Sequence, residues 1–200
     1  MVRMPFITRS EQSQGENSSS SFQIVVQSML RGIGEEPERE GLIKTPERFE
    51  KAMRELTGGY SQTAAQVVGD GLFDAEGSGL VTVKEIEFFS LCEHHLLPFW
   101  GHISIAYLPQ KKILGLSKLA RVVDVYAKRL QVQERLTKEV ADSIQELVGA
   151  RAVFVQCEAQ HMCMMMRGVK KTASTTKTEY SLGLEALSPL ERDRILKGVE

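Results

Sequence analysis

The 200-residue chain is short of cysteine, of histidine, of long apolar runs and of excess charge of either sign. Three cysteines, Cys92, Cys157 and Cys163, are an odd number with no dense framework, which argues against a disulfide-stapled fold and for a reducing compartment. No apolar run approaches the length of a membrane span, and the first residues lack the apolar stretch of a signal peptide. A soluble cytoplasmic protein with no membrane partner is therefore expected. With 25 basic and 26 acidic residues the net charge is −1, so nothing global suggests nucleic acid as a partner, although local cationic clusters could still hold phosphates. No internal repeat is evident.

Two of the four histidines fall in one stretch, Ser90-Leu91-Cys92-Glu93-His94-His95-Leu96-Leu97-Pro98-Phe99, beside a cysteine. Thiolate and neutral imidazole together suit Zn2+, which takes four ligands tetrahedrally. Cys92 and His95 are three apart and can close on one ion from a tight turn. His94 lies between them, and adjacent side chains point apart, so one histidine is expected to bind metal and the other to remain free for proton transfer. The other place with this chemistry is Gln160-His161-Met162-Cys163-Met164. Cys92, His95 and Cys163 make three protein ligands, and a fourth position left to water is the pattern of a catalytic zinc. Cys157, in the strand-like run AVFVQCEA, reads as a small core residue, with a place in the ligand set instead of Cys163 as the alternative.

At 42% hydrophobic, the chain is enough for one globular domain with an accessory segment. Residues 1–20, rich in serine, read as a disordered polar tail. Residues 21–60 read as a helical segment. Phe22, Val25, Val26, Met29 and Leu30 recur at helical spacing, and Thr45-Pro46 reads as a helix start with Thr45 as the cap. Residues 61–200 form the main domain. A loop or short helix is expected before a strand at Lys84–Phe88, and a second strand at Gly101–Tyr107 makes a hairpin whose connection carries Cys92 and His95. Amphipathic helices follow from Leu116 and over about 135–148. A strand at Ala152–Ala159 leads into His161 and Cys163, whose spacing of two on an extended chain puts them on one side. A last strand over Thr172–Thr178 and a helix near Pro189–Leu196 complete an α+β order, with helices on one face of an antiparallel sheet.

The stretches CEHHLLPFWGHISIAYLP, LGLSKLARVVDVYAKRLQVQERLT and QHMCMMMRGV, together with the chain from about Thr45 onward, strongly resemble the GTP cyclohydrolase I family. The resemblance implies a zinc enzyme that converts GTP to dihydroneopterin triphosphate and formate. It also implies the tunnelling fold, in which sheets join side by side in a ring-shaped homo-oligomer, of decamer type, with active sites between subunits.

Residue roles follow from the same likeness. His161 is the expected proton donor at guanine N7, with His94 as the second candidate. Glu134 and Gln133 are expected to hold the base, since a carboxylate accepts paired hydrogen bonds from guanine N1–H and the exocyclic amino group, which adenine cannot offer. Ser117 and Lys118 would lie along ribose and phosphate, with Arg121 and Arg167 on the triphosphate. By spacing alone Ser117, Lys118 and Arg121 share the N-terminal part of a helix, a reasonable anion site, but also an ordinary solvated basic face. Arg48 and Lys51, three apart on a helix, are further triphosphate candidates by resemblance. His102 reads as a surface histidine. Two rivals belong to other classes. One is a structural zinc scaffold without turnover. The other is a zinc nucleobase deaminase, whose H-x-E and P-C-x-x-C signatures are absent.

Overall fold

A computed structural model describes residues 20–77 and 79–199. The expected polar tail lies outside these apart from Ser20. The chain divides into two compact units, Met1–Ala52 and Met53–Glu200. In the first, Ser20 caps helix α1 (Ser21–Gly32), its Oγ accepting from the backbone N–H of Gln23 at 3.3 Å. Helix α2 (Thr45–Leu56) begins at Thr45 itself and runs across the boundary between the units. Glu50 accepts from Ser20 Oγ at 2.5 Å and Gln23 Nε2 at 3.0 Å, and Phe22 meets Phe49 with ring centroids 6.2 Å apart. Ile24, Val25 and Met29 on α1, and Ile33 just after it, stay exposed.

The second unit is α+β. Helix α3 (Ala64–Val68) opens with a Thr63–Gln66 capping box, and a small sheet pairs β1 (Leu72–Asp74) with β4 (Lys112–Leu114). The main sheet contains β2 (Val81–Cys92), β3 (Pro98–Leu108), β5 (Leu130–Gln131), β6 (Ala152–His161) and β7 (Thr176–Leu182), in the order β5-β2-β3-β6-β7. Its pairs are antiparallel except β2 with the two-residue β5.

Helices α4 (Leu116–Ala127) and α5 (Gln133–Val148) lie on one face. The alternation of β3 and β6 sends Ile103, Ile105, Tyr107, Val153, Val155 and Cys157 to that side, where they form one core with Leu119, Val122, Leu136, Val140 and Ile144. Each such aliphatic side chain, fully buried, contributes roughly 1.5–3 kcal/mol. The opposite phase of the same strands, Ala106, Leu108, Ala152 and Phe154, is covered by helix α7 (Pro189–Val199) through Ile195 and Val199. No helix among the described residues is long and apolar enough to cross a membrane.

Three local features bear on the site. Helix α5 starts at Gln133, two residues before the expected boundary, so Gln133 and Glu134 sit in its first turn. The extended chain ends at His161, and Met162–Met165 forms one helical turn, α6, so Cys163 reaches the site from a helix and not from a strand. Gly101 faces Ala159 across β3 and β6, where a Cβ would lie 1.9 Å from the carbonyl oxygen of Glu158, so the strands leading to the site accept no side chain there.

Candidate metal centre and active site

The turn from β2 to β3 is closed by backbone hydrogen bonds. Cys92 N–H donates to Leu97 O at 2.8 Å, while the N–H groups of His95 and Leu96 both turn back to Cys92 O, at 3.3 and 2.8 Å. Leu96 takes a left-handed φ of 54°, which reverses the chain into β3. The turn is also tied sideways. Glu93 N–H donates to Gln131 O at 3.0 Å, and the Glu93 carboxylate receives both arms of Arg135 from α5, at 2.7 and 3.0 Å. That guanidinium holds the Glu93 carboxyl below the usual carboxylate range. Sequence reasoning did not single out Glu93 or Arg135, because a pair 42 residues apart leaves no local pattern.

Both histidines of the turn lie near the Cys92 sulfur, His94 Nδ1 at 3.7 Å and His95 Nδ1 at 3.9 Å. The Cys163 sulfur distinguishes them. Cys92, His95 and Cys163 form a group whose ligand atoms all lie within 4.8 Å of one another, a group that could hold a metal ion. Tetrahedral zinc with ordinary Zn–S and Zn–N bonds places S and N about 3.6 Å apart, so the spacing fits. The chemistry fits as well. Burial first, and the adjacent Cys92 sulfur next, push the Cys163 thiol up, against a smaller opposite pull from Arg167. Two sulfurs in one site ionise readily only when a cation joins them. Cys157 is elsewhere: fully buried in the core, its thiol is pushed up to about 12 by burial.

His161 ends β6 opposite Phe99, and the two rings stack with centroids 4.8 Å apart and planes 1° from parallel. Its Nε2 lies 2.8 Å from Gln133 Oε1. Burial holds the imidazole below its ordinary value, and the charge of Glu134 partly restores it. Glu134 is exposed at the start of α5, close enough to act electrostatically on His161. Gln133 is only 2% exposed, and its amide nitrogen faces Cys157 O at 3.1 Å, Thr176 O at 2.9 Å and Thr178 Oγ1 at 3.2 Å. Both side-chain amide hydrogens therefore have acceptors inside the protein, and the Gln133 side chain has no free donor to offer a base. Phe99, which braces His161, was not anticipated either: an apolar strand residue has no signature beyond its periodicity.

The cationic candidates divide. Arg167 is exposed just beyond α6, and its charge is felt at Cys163. Lys118 and Arg121 line a different cavity of about 610 Å³ with Arg54, Lys128, Asp70 and Asp124. None of the residues lining that cavity belongs to the Cys92–His95–Cys163 group or contains His161. Lys118 Nζ is 3.9 Å from Asp70, and Ser117 is exposed beside it in the first turn of α4. Arg48 and Lys51 are exposed on the part of α2 that belongs to the first unit. His102 is half-exposed, with Nδ1 3.8 Å from Glu85.

Comparison with known proteins adds a separate line of evidence. The family model described as GTP cyclohydrolase I matches residues 22–200. The chain is 50% identical over 184 residues to GTP cyclohydrolase 1 of Deinococcus radiodurans, covering 92% of this chain and 85% of that one. It is 54% identical over 165 residues to GTP cyclohydrolase 1 1 of Pseudomonas syringae pv. tomato, covering 82% and 88%. It is 51% identical over 169 residues to GTP cyclohydrolase 1 of Rattus norvegicus, covering 84% and 70%. Among solved structures, the apo form of the archaeosine synthase QueF-Like aligns with a TM-score of 0.44 at 17% identity over 54% of this chain and 97% of that one, too weak a likeness to bear on function. With a family match over residues 22–200 and about half of the aligned residues identical to relatives from three organisms, the chain belongs to the GTP cyclohydrolase I family.

Proposed function

We propose that this protein holds Zn2+ on Cys92, His95 and Cys163 and converts GTP to 7,8-dihydroneopterin triphosphate and formate, the entry step to pterins and tetrahydrofolate. The observation that carries the proposal is the juxtaposition of the three ligand atoms, all within 4.8 Å, in a chain of this family. When bound, zinc supplies the Lewis acidity that makes water a competent nucleophile near neutral pH.

The protein's own residues do the rest. His161, whose basicity burial lowers, moves protons to and from N7 as the bond between C8 and N9 or N7 breaks. His94, with its Nδ1 near the same sulfur and its ring open to solvent, is the second proton carrier. Glu134 accepts from guanine N1–H and the amino group, and Arg167 meets phosphate oxygens. Removing C8 as formate uses two water molecules, and closing the pterin ring on the rearranged ribose returns one.

The phosphate-binding candidates support an assembly. Lys118 and Arg121 line a cavity that shares no residue with the metal group, so a site that uses both sets is completed by a neighbouring copy. The sheet has the edges for this. Among the described residues, strand β2 is paired over two residues on one side and β7 forms the opposite edge, so each offers backbone to another chain. We read the assembly as a ring-shaped homo-oligomer, a decamer, of the tunnelling fold. Ser117, Lys118 and Arg121 serve ribose and triphosphate there, and Arg48 and Lys51 of the first unit are further triphosphate candidates. Its three free cysteines suit the cytoplasm.

The test is incubation of zinc-loaded protein with GTP, with formate and pterin fluorescence as readouts. Ammonia without formate would mean deamination. Bound zinc with neither product would mean a scaffold.

A further inference from the structure

We propose that Gln133 is a positioning residue that sets the tautomer of His161, holding the proton on Nε2 and leaving Nδ1 as the nitrogen that exchanges protons. The inference rests on the reading of His161 as the proton-transferring group and gives Gln133 a role other than contact with the base.

The assignment comes from what each neighbour can do. The nitrogen end of the Gln133 amide lies within hydrogen-bond distance of Cys157 O and Thr176 O, at 3.1 and 2.9 Å. Backbone carbonyls only accept, so that end must be the NH2 group. The reversed amide would set three oxygens against one another in a position 2% exposed, where no water relieves them. The oxygen end therefore faces His161 Nε2 at 2.8 Å, and a carbonyl oxygen so placed requires an N–H opposite it.

The hydroxyls beneath the amide agree. Thr137 Oγ1 donates to the backbone carbonyl of Gln133 at 2.8 Å, and Thr137 and Thr178 hydroxyls are 2.7 Å apart. With the Thr137 proton committed, Thr178 donates to Thr137 and keeps its lone pair for the Gln133 NH2 group at 3.2 Å. Donors thus run in one direction from His161 through Gln133, Thr178 and Thr137 back to the Gln133 carbonyl. The stack on Phe99, with planes 1° from parallel, fixes the plane of the imidazole but not which way round it sits. Gln133 makes that second choice.

The test uses zinc-loaded full-length protein with 15N-labelled histidine. Only four histidines are present, so His161→Ala assigns its two ring signals by subtraction. Magic-angle-spinning 15N spectra make the size of the assembly immaterial. The expected wild-type result is an N–H signal at Nε2 and an unprotonated signal at Nδ1. Gln133→Leu should mix the tautomers and lower kcat about 10- to 100-fold, with the KM for GTP within about twofold and zinc content unchanged. Thr178→Val, which removes one support without touching His161, should shift both readouts the same way by less.

A wild-type proton on Nδ1 would overturn the proposal even if Gln133→Leu fails to fold. So would a raised KM in Gln133→Leu with kcat and tautomer unchanged, which would return Gln133 to the base. A wild-type protein that shows the expected tautomer but releases no formate from GTP would remove the function reading instead.

Discussion

The two cysteines of the β6–α6 region offer a test in which one substitution should empty the metal site and its neighbour should not. Cys163 contributes a sulfur to a group whose ligand atoms span at most 4.8 Å, whereas Cys157 lies fully buried among Thr137, Thr178 and Gln133. Zinc sites with four ligands bind with apparent free energies of about 10–16 kcal/mol, or roughly 2.5–4 kcal/mol per ligand. Cys163→Ser replaces a thiolate with a neutral, harder hydroxyl and should weaken zinc binding by about 10²–10³-fold, with activity lost in parallel. Cys157→Ser offers its neighbours a hydroxyl of similar reach and should keep its zinc, at a stability cost of about 1 kcal/mol. Both proteins would be purified, dialysed against a competing chelator of known affinity and assayed for metal. A full zinc complement in Cys163→Ser, or an empty site in Cys157→Ser, would refute the ligand set and exchange the roles of the two sulfurs.

Four further outcomes can be checked. His95→Ala should lose metal and activity together, while His161→Ala should keep zinc, still bind GTP and lose about 10²–10⁴-fold in formate release; the reverse pattern of zinc contents would swap the two residues. Glu134→Ala should weaken GTP binding by about 2–4 kcal/mol in titration while leaving weak ATP binding untouched, and an unchanged GTP affinity would take Glu134 out of the base site. Arg135→Ala should release the Glu93 clamp on the ligand turn and speed zinc loss to a chelator, with an unaltered rate counting against that role. The Cys157 thiol is raised from 9.0 to about 12, so above about pH 9 the unfolded chain gives up this proton and the folded one does not. Its stabilising contribution, complete below pH 9, is lost as pH climbs toward 12, with a limiting slope of ~1.4 kcal/mol per pH unit from this group. Denaturant unfolding between pH 8 and 10.5 should show a shallower fall in Cys157→Ser than in the wild type.

What the sequence determined by itself was the chemistry that depends on residue type and short spacing. Cys92 and His95 three apart, with Cys163 in a second Cys/His stretch, pointed to a metal group because few side chains combine in that way, and the three family stretches pointed to the enzyme class. The periodicity of Leu116–Ala127 and of β2, β3 and β6 marked the elements that carry these residues, since burial on one face leaves a period of 3.6 or 2 in the sequence.

The tertiary structure decided what rests on contacts between distant segments. The two residues of β5 are too few to leave a period, yet their parallel pairing beside Cys92 brings the start of α5 to the ligand turn. The end of β6 at His161 was not legible, because the four residues Met162–Met165 are too few to show a helical period. Gln133 was legible as polar and near the site, but not as buried. Its carbonyl partners on β6 and just at the start of β7 lie 24 and 43 residues away, and only the folded sheet shows that they consume its amide hydrogens and turn its oxygen toward His161.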